Sequence, residues 1–374
     1  MPNRNRKEIN TEIFARLLTR CHRLGQPILN SREVRYISSF PFDRDIMTYG
    51  EAESTILTNT LRFTRVEYQG VVYYVLFGLP ELELNIDGLS EVDLTAGIFC
   101  LSVYESGIPS MSGYFEIKDC IEDRYSIKGG DYCGHDFSEI KKLFPSCKVF
   151  VVNEDSAVLK EYQRALGVVL CQSLSDGALN YQLETLDELR DLFETGSAHL
   201  PFRNIINGMI AISWDVLFLQ LYRCIEQLYA QPKTEELRNN SQLNQTTHSL
   251  VDIAEFLETY LAWRPKEEEA LQKLFVRAEE TISFELGMAM GLITKNNNDE
   301  YLLNGQSVSN PCPPVASAVY KLRNNIVHYR PSHDLVDFND DKWNSIVCGM
   351  VKVIKKLYGL LGESFFVRPT ASTE

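Results

Sequence analysis

The feature that most constrains this chain is a change in the period of its apolar residues near position 200. From Arg62 to about Val152 the pattern alternates with period two. Leu61, Phe63 and Arg65 alternate with Arg62, Thr64 and Val66. Gln69-Gly70 then reads as a hairpin turn, and the run VVYYVLF (71–77) as the strand that follows it. Further strands are expected at Leu82–Ile86, Gly97–Tyr104, Tyr114–Lys118 and Lys148–Val152. Helices are expected from Ser156 to about Leu166 and from Thr185 to Glu194, the latter capped by Thr185 with Glu188 three residues on. This predicts an α+β N-terminal domain over 1–200, built on an antiparallel sheet with a core over about 60–152.

Beyond Gly196–Pro201 the period becomes 3.6. Five helices are expected: Asn204–Ala230, Leu250–Ala262, Lys266–Met290, Pro314–Tyr329 and Asn339–Leu361. Polar loops are expected at Lys233–Thr247 and Thr294–Pro313. The second domain, 201–374, therefore reads as an all-α bundle. Before the sheet, Lys7–Leu24 reads as a helix whose Ile9, Ile13, Leu17 and Leu24 share a face, with Phe14, Leu18 and Cys21 beside them. That face is expected to pack on a domain.

Composition narrows the class. The chain has nine Cys in 374 residues and no CxxC pair, which fits reduced thiols rather than a disulfide scaffold or a zinc ribbon. Cys120, Cys133, His135 and Cys147 match no standard zinc spacing, so ordinary thiols are the reading and no metal or cofactor is expected. The start MPNRNRKEINTEIF lacks the apolar core of a secretory signal, and the longest apolar stretch, Gly208–Tyr222, carries Asp215 and is too short to span a bilayer. A soluble cytoplasmic protein with no membrane partner follows. Net charge is −14, unevenly spread. Eight basic against three acidic residues give +5 in 1–35; 12 against 27 give −15 in 36–200; 17 against 21 give −4 in 201–374. The acidic middle repels nucleic-acid phosphate, so any grip on nucleic acid has to lie elsewhere.

Histidine is scarce, with only His22, His135, His199, His248, His328 and His333. HExxH, GxSxG, Walker A and GxGxxG followed by a helix are all missing. One segment carries chemistry: PCPPVASAVYKLRNNIVHYRP (311–331). Val315, Val319, Leu322 and Ile326 make an apolar stripe. Asn324 and His328, four apart, lie about 40° from each other around the axis, and the long side chain of Arg323 can swing to the same patch. Imidazole can take a proton from a 2′-OH near neutral pH. Guanidinium can bind non-bridging phosphate oxygens bidentately and stabilise transition-state charge. The amide can orient either. By chance R-x4-H would occur about 0.3 times in a chain of this composition, so the surroundings have to carry the reading.

Those surroundings resemble the HEPN superfamily, whose motif is R-x4-6-H with Asn, Asp or His after the Arg. Here it reads Arg323-Asn324-Asn325-Ile326-Val327-His328. The stretch LFLQLYRCIEQLY (217–229) resembles the first helix of that family. The motif falls on the penultimate helix, and KWNSIVCGMVKVIKKLYGLL follows as the last. The resemblance covers about residues 203–365. The long loops and large N-terminal domain resemble the Apea-like branch. The N-terminal domain itself resembles no family.

The resemblance implies a metal-independent endoribonuclease, a homodimer whose two motifs form one composite site, and a role as a toxin or abortive-infection effector in anti-phage defence. Carried over, Arg323 and His328 are the catalytic pair, Asn324 positions them, and Glu226 with Arg223 supports them from the first helix. RNA, tRNA or another cellular RNA, would be gripped by Lys321 and Arg330, with Lys352, Lys355 and Lys356 as further candidates. A phage or host protein would be the trigger. Tyr329 directly follows His328 and Arg330 takes the next place, so the His-x-Tyr ending of one toxin branch is absent. The rival reading is a non-catalytic HEPN dimerisation module whose acidic N-terminal domain recognises a protein partner, with Arg323 and His328 complementing the dipole at their helix end.

Overall fold

The computed structural model describes residues 4–26, 28, 35–78, 85–123, 132–174, 179–240, 249–261, 266–296, 300–328 and 337–367. The chain is mixed α+β and forms two compact units, 1–162 and 163–374. The division thus falls nearer residue 162 than the expected 200, because the two helices read as closing the first half pack within the second.

The first unit comprises α1 (Arg6–Arg23), α2 (Pro41–Tyr49), β1 (Glu51–Ile56), β2 (Arg62–Tyr68), β3 (Val71–Phe77), β4 (Leu89–Val92), α3 (Ala96–Ser106), α4 (Tyr114–Lys118), α5 (Phe137–Lys142) and β5 (Cys147–Val152). The five strands form one antiparallel sheet in the order β1-β2-β3-β5-β4. The β2–β3 hairpin pairs Val66 with Tyr73 and turns on Gln69-Gly70, both at positive φ (52° and 79°), the backbone of the tight turn that matches strand twist. Ile9, Ile13, Phe14, Leu17 and Cys21 of α1 are buried in one core with Ile46, Met47, Val66, Val75, Phe77, Phe99 and Val149. The expected packing face of α1 is there, except that Leu24 lies past the helix end and is exposed.

Two expected strands are helices. Gly97–Tyr104 lies within α3, which is buried all round from Ala96 to Val103. A fully buried run shows neither period, and the ends decide it. Thr95 caps the first turn by accepting from the Ile98 N–H at 3.4 Å, and Gly107, at φ 64°, takes the left-handed position past the last. Tyr114–Lys118 is a helical turn, its start held by the Gly113 N–H donating to the Glu116 carboxylate at 2.9 Å. Leu82–Ile86 falls largely outside the described residues, and Ile86 is buried just before β4. Cys120, Cys133, His135 and Cys147 are not gathered; the described residues contain no group of three metal-ligating side chains. The His135 ring instead lies against Phe14 at 4.8 Å.

The second unit comprises α6 (Tyr162–Ser173), α7 (Leu183–Thr195), α8 (Phe202–Met209), α9 (Trp214–Glu226), α10 (Gln231–Asn240), α11 (Leu250–Leu261), α12 (Glu267–Arg277), α13 (Glu280–Ala289), β6 (Ile293–Lys295), β7 (Tyr301–Leu303), β8 (Gln306–Ser307), α14 (Cys312–Val327) and α15 (Asp340–Phe366). It is helical but not all-α. The expected loop Thr294–Pro313 holds a small antiparallel meander, β6-β7-β8, turning on Asn304-Gly305 at φ 51° and 80°. The expected loop at Lys233 is the helix α10, in which Gln231 and Thr234 are buried and Lys233 pairs with Glu236. Its continuation, 241–248, lies outside the described residues.

Two expected long helices are each broken in two. Asn204–Ala230 splits at Ile210–Ser213, where the chain folds back and α8 and α9 cross with Leu217 against Gly208. Lys266–Met290 splits at Ala278, which is extended. Nor does Thr185 cap α7. Gln182 occupies that position, its N–H donating to Asn344 Oδ1 of α15 at 2.8 Å, while the Thr185 hydroxyl lies inside the first turn and donates to the Asn344 carbonyl. The buried Asn344 also donates to the carbonyls of Asn180 and Asp340, so one side chain from α15 sets the start of α7. Among the described residues no helix is long and apolar enough to cross a membrane.

Candidate functional site

The motif helix α14 starts on Cys312 with Pro313 and Pro314 in its first turn, where missing N–H groups cost nothing. Val315, Val319 and Leu322 are buried, and Ile326 is half-buried. This stripe fixes the helix rotation against α12 and α13. It leaves Arg323 and Asn324 half-buried at the flank and Lys321, Val327 and His328 exposed.

Arg323 is the centre of a built cluster. Its Nη2 donates to Glu226 Oε1 at 3.3 Å, and its Nη1 donates to Asn324 Oδ1 at 2.9 Å. Glu267 Oε2 lies 3.7 Å from the same Nη1. The guanidinium carbon stands 5.6 Å from the centre of the Tyr222 ring, a cation–π contact. Tyr222 and Glu226 are four apart on α9, hence on one face, and the Tyr222 hydroxyl bonds with that of Tyr229. α9 is anchored from behind by Tyr358 of α15, whose hydroxyl donates to the Cys224 carbonyl at 2.8 Å.

Two carboxylates thus share one guanidinium. Burial pushes the carboxyl of Glu226 above its ordinary value; Arg323 opposes this, Glu267 adds to it and Arg223 opposes it. Burial likewise pushes the Tyr222 phenol up.

No protein-family model, curated protein or solved structure matches this chain. The geometry of the site alone therefore carries its reading.

The sequence-predicted residues separate into three groups. Arg323, Asn324 and Glu226 come together. His328 terminates α14 in an extended conformation, its N–H closing on the Asn324 carbonyl at 2.9 Å and its side chain exposed, with no partner among the described residues. Arg223 is exposed and donates to Gln220 Oε1 at 3.4 Å. Lys321 is exposed on the same helix, and Arg330 lies outside the described residues. The further lysines are engaged by acids. Lys352 lies between Glu285 (3.1 Å) and Glu188 (3.7 Å), Lys355 bonds Asp191 and Lys356 bonds Glu279. Lys352 also lines a polar groove of about 250 Å³ with Thr185, Glu285, Asn344 and Cys348, and none of the motif residues borders it.

The functional neighbour that sequence reasoning missed is Glu267. It is the first residue of α12, in a first turn of three glutamates. Acid at a helix start reads as dipole compensation, and only the packing of α12 along α14 brings it to Arg323.

Proposed function

We propose that the helical unit is a metal-independent endoribonuclease of HEPN type, acting as a homodimeric toxin or abortive-infection effector. The observation that carries this reading is the pairing of a pre-oriented guanidinium with an exposed imidazole at one end of α14. Arg323 is fixed by Glu226 and Asn324, and His328 faces outward, where a second copy and an RNA strand can reach it. In the dimer His328 takes the proton of a 2′-OH, and that oxygen attacks the adjacent phosphorus. Arg323 stabilises the charge that develops on the non-bridging oxygens. The 5′ oxygen leaves with a proton returned by the second imidazole, giving a 2′,3′-cyclic phosphate and a 5′-OH. Asn324 holds the guanidinium in register. Lys321 is the basic side chain placed to meet the strand.

A second reading has its own observation. Arg323, Lys352, Lys355 and Lys356 are all matched to carboxylates, as in a module that binds a partner protein and cuts nothing. A denaturing gel of total RNA and tRNA incubated with the full chain in EDTA separates the two. The nuclease gives discrete fragments, and His328→Ala lowers the rate by at least about 100-fold, the contribution of a positioned general base. Equal cutting by both proteins, or cutting abolished by EDTA, overturns the mechanism. Overexpression gives a parallel readout: the nuclease is toxic and His328→Ala relieves the toxicity, whereas a binding module shows neither effect.

A further inference from the structure

Resting on the reading of Arg323 as the residue that meets the RNA phosphate, we propose that Glu267 is a gate on that site, an intramolecular carboxylate that holds one arm of the guanidinium until a phosphodiester displaces it.

The two carboxylates on Arg323 are not equivalent. Glu226 is half-buried on α9, whose Tyr222 and Ile225 are buried, and its carboxylate accepts a hydrogen bond from Nη2 at 3.3 Å. Glu267 is 42% exposed, begins its helix beside the exposed Lys266 and Glu268, and stands 3.7 Å from Nη1, beyond a hydrogen bond. Nη1 already donates to Asn324 at 2.9 Å. Withdrawal of Glu267 therefore leaves Nη1 its bond to Asn324, whereas withdrawal of Glu226 breaks the hydrogen bond of the half-buried Nη2.

Charge gives the gate its direction. With both carboxylates ionised the cluster carries one net negative charge and repels a phosphate. With Glu267 turned outward the cluster is neutral, and the freed side of Nη1 can meet a non-bridging oxygen. The phosphate and Glu267 are two anions competing for one site. Occupancy by Glu267 disfavours stray anions and weak RNA contacts, and a strand held elsewhere along the dimer can displace it. A pair at 3.7 Å whose carboxylate is 42% exposed is weak, which suits a contact that has to open.

The test uses the full-length chain carrying His328→Ala, so that RNA survives, and a fluorescein-labelled single-stranded oligoribonucleotide read by anisotropy at low and high salt. Adding Glu267→Gln should tighten binding by about two- to fivefold at low salt, with the gain shrinking as salt rises. Glu268→Gln removes the same charge one residue away and should gain clearly less. In an Arg323→Ala background Glu267→Gln should gain nothing. If Arg323→Ala weakens binding but Glu267→Gln brings no gain, or one equal to that of Glu268→Gln, or one that persists without Arg323, the gate is wrong and the phosphate role of Arg323 stands. If Arg323→Ala leaves RNA binding unchanged, the underlying reading fails and takes the gate with it.

Discussion

Two arginines of the helical unit are held in contrasting ways. Arg164, on α6, is 4% exposed and stacks on the Phe202 ring at 4.5 Å. It donates to the backbone carbonyls of Phe193 and Gly196 at 2.8 and 2.9 Å. Arg323 also lies over an aromatic ring, but its partners are side chains: Glu226 and Asn324 accept its hydrogen bonds, and Glu267 forms an ion pair at 3.7 Å. A carbonyl at a helix C-terminus cannot turn away without unfolding the turn, so Arg164 is a fixed strut that closes the orphan acceptors at the end of α7. A carboxylate on a rotatable stem can turn away. Arg323 is therefore oriented yet exchangeable, as a group that must hand its hydrogen bonds to a substrate has to be.

The sharpest way to break this contrast is to remove each guanidinium. Arg323→Ala should lower RNA cleavage by about 100- to 1000-fold, the range for one pre-organised donor to a transition-state oxyanion. It should change stability by no more than about 1 kcal/mol, because Glu226 and Glu267 remain partly in contact with water. Arg164→Ala should do the reverse. Two charge-assisted bonds to backbone carbonyls and a stacked ring are lost together, which predicts a cost of about 3 kcal/mol, read as a fall in the urea midpoint. Equal destabilisation by the two variants would erase the distinction.

A smaller effect tests the strut from behind. Gly167 lies one turn beyond Arg164's position, and a Cβ there would stand 2.3 Å from the Phe193 ring. Gly167→Ala should cost about 2 kcal/mol by forcing Phe193 aside, and it should displace the carbonyl that Arg164 uses. Thermal unfolding of Gly167→Ala, Arg164→Ala and the double variant should therefore show a total loss smaller than the sum of the two, since both damage one contact set.

The parts of this picture that were legible in the sequence are those with local causes. The Gln69-Gly70 hairpin, α1 and the apolar stripe of α14 all rest on residues within a turn or two of one another. What was not legible depended on partners far along the chain. The run from Gly97 to Tyr104 has no period because both sides are buried, so only Thr95 and Gly107 betray a helix. The break between α8 and α9 follows from their close crossing at Gly208, and the start of α7 from Asn344. Asn304-Gly305 carried a hairpin signal inside a segment read as loop. At the site, Glu226 was singled out through a family resemblance and does meet Arg323. Glu267, 56 residues before Arg323 in the sequence, gave no local sign of its role.

The smallest effects concern pH, and here two carboxyl groups of the unit should act with opposite signs. The folded carboxyl of Glu226 lies above its ordinary value, chiefly through burial. The folded state then holds that proton more tightly than the unfolded state, so this group favours folding as pH falls through its titration range and opposes folding once both states are ionised. Asp191 lies below its ordinary value, first through its hydrogen bond from Lys355. Its contribution is complete at neutral pH and is lost as pH falls below the ordinary carboxylate range, about 3.9, through the lower folded value. Asp191 is 45% exposed, so solvent screening keeps its share well under about 1 kcal/mol. Urea unfolding from pH 3 to 8 should show that Glu226→Gln leaves stability at pH 7 equal to or above that of the unaltered chain, since the amide escapes the burial penalty and can still accept from Arg323. Lys355→Met should lower stability at pH 7 and converge with the unaltered chain at the acid end. A marked loss at pH 7 in Glu226→Gln would mean that the ion pair outweighs burial. Glu226 would then be a strut like the carbonyls of Arg164, and the contrast between the two arginines would rest on Glu267 alone.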